Sequence, residues 1–236
     1  MTESHSPLDR MLDEADREIA AVASHVPPAA RPKLRGWLHL GSAPVALVLG
    51  LILMAITDDE PVRWALAVYI VTSVLLFGMI AIYHVITWKP KTRAVLRRID
   101  HANIFLFIAG SYTPLAVALL PPDQRRQLLL LVWVFALLGV GFQVFWLHAP
   151  RWLSVVTYIG IGWVAVFYAV PIWREGGPAV AVLLIIGGLL YTLGAVVYAR
   201  RRPDPVPEWF GYHEIFHAFT IAAFTVQYVA ITLAVA

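Results

Sequence analysis

The chain has 236 residues, 60% of them apolar and only 14% charged, with a formal net charge of +3 and no cysteine. That composition excludes an ordinary soluble domain and points to a chain solvated by lipid. The missing thiols exclude disulfides and thiolate-bound metals, so any metal site must be built from histidine and carboxylate.

In chain order, residues 1–36 are a polar tail, expected on the cytosolic side. Within it Leu8, Met11, Leu12, Ala15, Ile19 and Val22 recur at helical spacing among Asp9, Asp13, Glu14, Asp16 and Glu18, which predicts a short amphipathic helix ended by Pro27 and Pro28. No apolar segment with a small-residue cleavage site is visible there, so the first span is expected to direct insertion. Residues 37–236 hold seven stretches close to the roughly 20 apolar residues a membrane crossing needs: 37–57, 63–86, 100–120, 127–147, 152–173, 178–199 and 212–235. Between the third and fourth, only Pro121, Pro122, Asp123, Arg125 and Arg126 mark a break. The expected fold is an all-α membrane protein, a seven-transmembrane helix bundle.

Loop charge predicts its orientation. With spans alternating in direction, 14 of the 18 Lys and Arg fall on one side, and Arg63, Arg125, Arg126 and Arg174 on the other. The richer side is read as cytosolic, which puts the N-terminus inside and the C-terminus outside. Trp37, Trp64, Trp88, Trp152, Trp173 and Trp209 fall at span ends, where amphipathic rings settle. The basic residues sit in short loops rather than a basic domain, so nucleic acid is not an expected partner, and the oligomeric state is left open.

Ionisable side chains in spans are costly and usually functional. His84 closes span two, Asp100 opens span three, and His213 and His217 open span seven, so all four reach the cytosolic side within about 10 Å of a span end. His213 and His217 are four apart and stack on one helix face, a common way to offer two nitrogens to one metal. With His84 as a third imidazole they form the ligand set of a catalytic zinc site, and Asp100 is placed to orient or deprotonate a water. Alternative readings stay open: Asp100 as an N-cap beside Arg97, and each histidine alone as an interfacial or core residue. His39 and His148 lie near the same face and are candidates to partner the ligating histidines from behind, though they read most simply as interfacial. The run from His213 to His217 also matches H-E-x-x-H, in which Glu214 would be the base of a protease.

Ile82-Tyr83-His84, Asp100-His101-Ala102-Asn103-Ile104-Phe105, Ala109-Gly110-Ser111-Tyr112-Thr113-Pro114 and His213-Glu214-Ile215-Phe216-His217, in that order, resemble the haemolysin-III family, which belongs with the progestin and adipoQ receptors. The resemblance covers residues 37–236. It implies seven helices, a cytosolic N-terminus, zinc (Zn2+) held by His84, His213 and His217, and Asp100 near the metal. Relatives in the wider superfamily hydrolyse lipid amides such as ceramide, and the bacterial branch is connected with haemolysis and with membrane-lipid homeostasis. One departure is plain: four residues before the first histidine the family carries serine, and here stands Ile80. Ser73, Ser111 and Thr113 are the hydroxyls to be weighed as substitutes. The leading expectation is a zinc-dependent hydrolase acting on an amide or ester bond of membrane lipids. A lipid or fluidity sensor with structural zinc, a pore-forming haemolysin and an intramembrane protease are the alternatives.

Overall fold

The structure is a computed structural model, and it describes Pro32, residues 34–146 and residues 150–235. The predicted tail helix, His5, His25 and His148 lie outside the described residues. Among these residues the chain is helical apart from its loops: α1 (Trp37–Ile56), α2 (Glu60–Val85), α3 (Pro90–Leu119), α4 (Pro122–Phe145), α5 (Arg151–Gly162), a 3₁₀ stretch (Trp163–Tyr168), α6 (Ala169–Arg200) and α7 (Tyr212–Val235).

Helix starts follow local chemistry. The Asp59 carboxylate accepts a hydrogen bond from the Val62 N–H at 2.9 Å and so caps α2. Proline in the first turn opens α2, α3 and α4, where its missing N–H costs nothing. The break expected between the third and fourth apolar stretches falls at Leu120-Pro121, as the proline pair dictates.

Two boundaries differ from expectation. Helix α3 starts at Pro90, ten residues before the expected 100, because the polar turns from Lys91 to Arg98 are good helix formers that simply continue past the apolar run. At 30 residues, or about 45 Å, α3 exceeds the roughly 30 Å hydrocarbon core, so its basic first turns project beyond it. Asp100 is therefore inside a helix, three turns from its start, and the N-cap reading is wrong.

Six segments are long and apolar enough to cross a membrane, and the fifth of them, Trp152–Arg200, runs for 49 residues. Its helix is interrupted at Gly177, whose φ of 76° and ψ of 173° lie where residues with a Cβ are strained. Pro178 follows and cannot donate back into the preceding turn. Trp163 Nε1 donates to Thr192 Oγ1 at 2.9 Å, though a straight helix would hold these positions about 44 Å apart. The chain thus doubles back around Gly177.

Cross-helix contacts give the directions of the others. Tyr228 Oη donates to Leu49 O at 3.0 Å and His39 meets His217, so α1 and α7 run side by side in parallel. Asn103 Nδ2 donates to Leu75 O at 3.1 Å, tying α3 to an antiparallel α2. The start of the 3₁₀ stretch is held by Tyr112, whose hydroxyl donates to Gly162 O at 2.7 Å and accepts from the Ala165 N–H at 2.9 Å. Backbone groups freed by that change of helix type are in this way satisfied inside the protein, as lipid surroundings require.

The interior sits between α2, α3 and α7, where Phe77 and Phe224 meet edge to face at 4.9 Å with Tyr69 and Phe107 around them. Outward, α4 exposes Phe135, Leu137 and Leu138, the last at 63%. Such a surface would be a liability in water and is ordinary against acyl chains.

Candidate metal site

His84 lies in the last turn of α2, and His213 and His217 in the first two turns of α7. The structure brings these three predicted residues together at one end of the bundle. One ligand atom from each lies within 4.8 Å of the others, so the three could hold a metal ion. His84 Nε2 and His213 Nε2 are 3.3 Å apart, and the His213 and His217 rings meet at 4.4 Å. A tetrahedral ion with bonds of about 2.0–2.1 Å would space its nitrogens by about 3.3 Å, so that pair is already at ligand spacing. His217 Nε2 is buried with no hydrogen-bond partner, an atom left free for a ligand. Three imidazoles with no thiolate suit a transition ion such as zinc, copper, iron or nickel.

The α7 end of the site is built by capping. Asp204 Oδ1 accepts from the Tyr212 N–H at 2.9 Å, and Glu214 Oε2 accepts from the Gly211 N–H at 3.0 Å, the reach-back half of a capping box. The other Glu214 oxygen accepts from Arg35 Nε at 2.8 Å, and the glutamate is 1% exposed. Both oxygens of Glu214 are thus committed to a cap and an ion pair. The H-E-x-x-H spacing is present, but here its glutamate has a structural task.

Asp100 is 8% exposed and lines the same cavity as His213 and His217. Its Oδ1 is buried without a partner, and its Oδ2 lies 3.7 Å from His101 Nδ1. That His101 nitrogen donates to Arg97 O at 2.7 Å, which leaves the carboxylate available to a molecule in the cavity.

The cavity, about 170 Å³, also takes in Ile80, Phe107, Leu115 and Leu120. From Asp100 to Leu120 is about 30 Å along α3, roughly the thickness of a hydrocarbon core. Ile80 lines this cavity one turn before His84 on α2, and the hydroxyl expected at its position is absent there. Ser73 Oγ donates to Tyr69 O at 2.7 Å and Thr113 Oγ1 to Ala109 O at 2.9 Å. Ser111 lines the cavity but stands eleven residues, about 16 Å, along α3 from Asp100. None of the three replaces the missing hydroxyl.

Of the two further histidines weighed as partners of the ligands and read most simply as interfacial, His39 stands beside the site. It is wholly buried, its Nε2 lies 2.8 Å from His217 Nδ1, and its ring stacks on Phe77 at 5.2 Å. The available signal was the pairing of Arg35, just ahead of α1, and His39 within it, four apart, with Glu214 and His217, three apart on α7. Gly36 seats this part of α1. Its φ is 84°, and a Cβ there would lie 2.8 Å from the Cβ of His84. Gly36→Ala should therefore cost about 1–2 kcal/mol in backbone strain alone and push on His84. Reduced metal retention together with a lower melting temperature in detergent is the expected result; wild-type values for both would show that the contact gives way freely.

Apolar helices of crossing length, carrying buried imidazoles at one end, define a multi-pass integral membrane protein with a potential metal site. Residues 29–228 match the family described as Haemolysin-III related, and the chain belongs to that family. It is 33% identical over 151 residues to the Hemolysin-3 homolog of Bacillus subtilis (strain 168), covering 64% of this chain and 68% of that protein. It is also 30% identical over 157 residues to Hemolysin-3 of Bacillus cereus, covering 66% and 68%.

Proposed function

We infer that this protein is a zinc-dependent hydrolase of an amide or ester bond in membrane lipids, with its site on the cytosolic side of a seven-span bundle. The observation that carries this reading is one cavity, lined mainly by apolar side chains, that joins His213, His217 and the unpartnered Asp100 Oδ1 and is bordered by α3 residues over about 30 Å. The reversal at Gly177 supports counting Trp152–Arg200 as two crossings, and the charge asymmetry of the loops supports a cytosolic N-terminus.

His84, His213 and His217 would hold the zinc. When bound, zinc supplies a Lewis acid that polarises a carbonyl and brings the pKa of water to about 7. The chain's own residues do the rest. The apolar cavity aligns the acyl chain so that the scissile carbonyl comes to the histidine end, and it excludes bulk water. Asp100 Oδ1 accepts a proton from the attacking water and returns it to the leaving nitrogen or oxygen as the carbonyl–heteroatom bond breaks. The products are a fatty acid and an amine or alcohol. No hydroxyl at position 80 assists, which predicts a slow enzyme.

The test is elemental analysis of purified protein, followed by a hydrolysis screen with ceramides, N-acyl amines and glycerolipids in mixed micelles. About one zinc per chain and release of free fatty acid are expected. In the same screen Ile80→Ser should raise turnover about tenfold with zinc content unchanged, by adding a hydrogen-bond donor beside the reacting carbonyl. A bound zinc with no product from any lipid, in wild type or Ile80→Ser, would instead favour a lipid sensor in which zinc ties α2 to α7. Ile80 is the observation on that second reading's side. A pore has less support, because the cavity is lined mainly by apolar side chains and Gln143 Nε2 is engaged with Ser154 Oγ and Tyr158 Oη at 2.9 and 2.8 Å.

A further inference from the structure

We propose that His39 is a positioning residue that fixes the ring and the tautomer of His217, so that α1 rather than α7 alone decides how well the cluster takes a metal. The inference rests on the metal reading above and deepens it.

The proton count gives the argument. His217 Nε2 is the nitrogen that is buried and unpartnered, while its Nδ1 lies 2.8 Å from His39 Nε2. A ligating nitrogen must carry a lone pair, so a neutral His217 that ligates through Nε2 holds its proton on Nδ1 and donates it to His39. His39 Nε2 then accepts, and the His39 proton sits on its own Nδ1. That nitrogen is buried with no partner beside the face of Phe77. An imidazole there leaves a polar atom unsatisfied where a phenyl ring would leave none. Packing alone does not account for it; an acceptor for the His217 N–H does, since metal-bound histidines characteristically donate their second N–H to a fixed partner.

The surroundings hold His39 in place. Just ahead of the same helix Arg35 pairs with Glu214, and further along α1 Leu49 O receives the Tyr228 hydroxyl. These three polar contacts, one from the turn before α1 and two from the helix itself, thus set the register of α1 against α7, and His39 is the one that touches a ligand.

The experiment is zinc affinity by chelator competition on full-length wild type, His39→Phe and His39→Gln, with thermal unfolding of the zinc-free proteins alongside. His39→Phe keeps a ring against Phe77 and loses the acceptor; zinc affinity should fall about 10–100-fold while the unfolding temperature stays the same or rises. His39→Gln supplies an amide oxygen to the same N–H and should recover most of the loss. Wild-type affinity in His39→Phe overturns the proposal. So does an affinity loss in both variants that only tracks lowered stability. If His39→Phe does not fold, nitrogen NMR of histidine-labelled, zinc-loaded wild type decides. His217 protonated on Nδ1 supports the proposal, and ligation through Nδ1 overturns it. Wild type that binds no zinc fails the metal reading itself, a different result from any of these.

Discussion

Replacing His217 by alanine should take the zinc content of the purified protein from about one per chain to background, and lipid hydrolysis with it. Three imidazoles are the whole protein ligand set proposed, and two do not retain a divalent ion against a chelator. His84→Ala and His213→Ala should behave alike, although His84 lies on α2 and His213 on α7, because each supplies one corner of the same cluster. Asp100→Asn is the complementary case. It leaves the three nitrogens untouched, so zinc should stay, while turnover should fall about 10²–10⁴-fold through loss of the proton acceptor. Retained hydrolysis in a metal-free His217→Ala protein would sink the zinc mechanism, and full activity in Asp100→Asn would move the base elsewhere.

The second large effect is on stability. Arg35→Ala leaves the Glu214 carboxylate, 1% exposed, without its cation. Removing one partner of a buried pair costs about 3–5 kcal/mol, and the lower end applies here because 22% of the Arg35 side chain is exposed. A melting temperature lowered by several degrees in detergent is expected. Glu214→Gln keeps the shape and one acceptor oxygen, which can serve either the arginine or the Gly211 N–H, and sets its amide N–H2 against the other donor, so it should cost about 1–3 kcal/mol. Its zinc content and turnover should remain those of wild type. Loss of turnover in Glu214→Gln with Asp100→Asn silent would revive the H-E-x-x-H reading, against the geometry that spends both glutamate oxygens on α7 capping and on Arg35.

The roles of Glu214 and His39 mark where reading the chain in one dimension stopped. Four-residue spacing places His213 and His217 on one face whatever the rest of the molecule does, because helix geometry is local. The direction of Glu214, about 100° around the same helix, depends on what packs there, and that is Arg35 from a segment 179 positions away. A lone histidine at a span start carries no periodic signal, so the interfacial reading of His39 outweighed its reading as a partner of the ligands until α1 was laid beside α7. Asp100 was misplaced as a helix start for another reason: apolar runs report the membrane, and α3 outgrows it by two to three turns.

By itself, the sequence determined that this chain lives in a bilayer, roughly where its apolar helices run, and that any metal must be held by nitrogen and oxygen. Those follow from composition, from run length and from the absence of cysteine, each a property of the chain before it folds. The tertiary structure decided that His84 reaches His213 and His217, that Ile80 and Asp100 face one long cavity, and that His39 stands behind His217. Each of those is a meeting of helices far apart in the chain. Their register is fixed by side-chain packing and by the Arg35–Glu214 pair, which no periodicity within a single helix records.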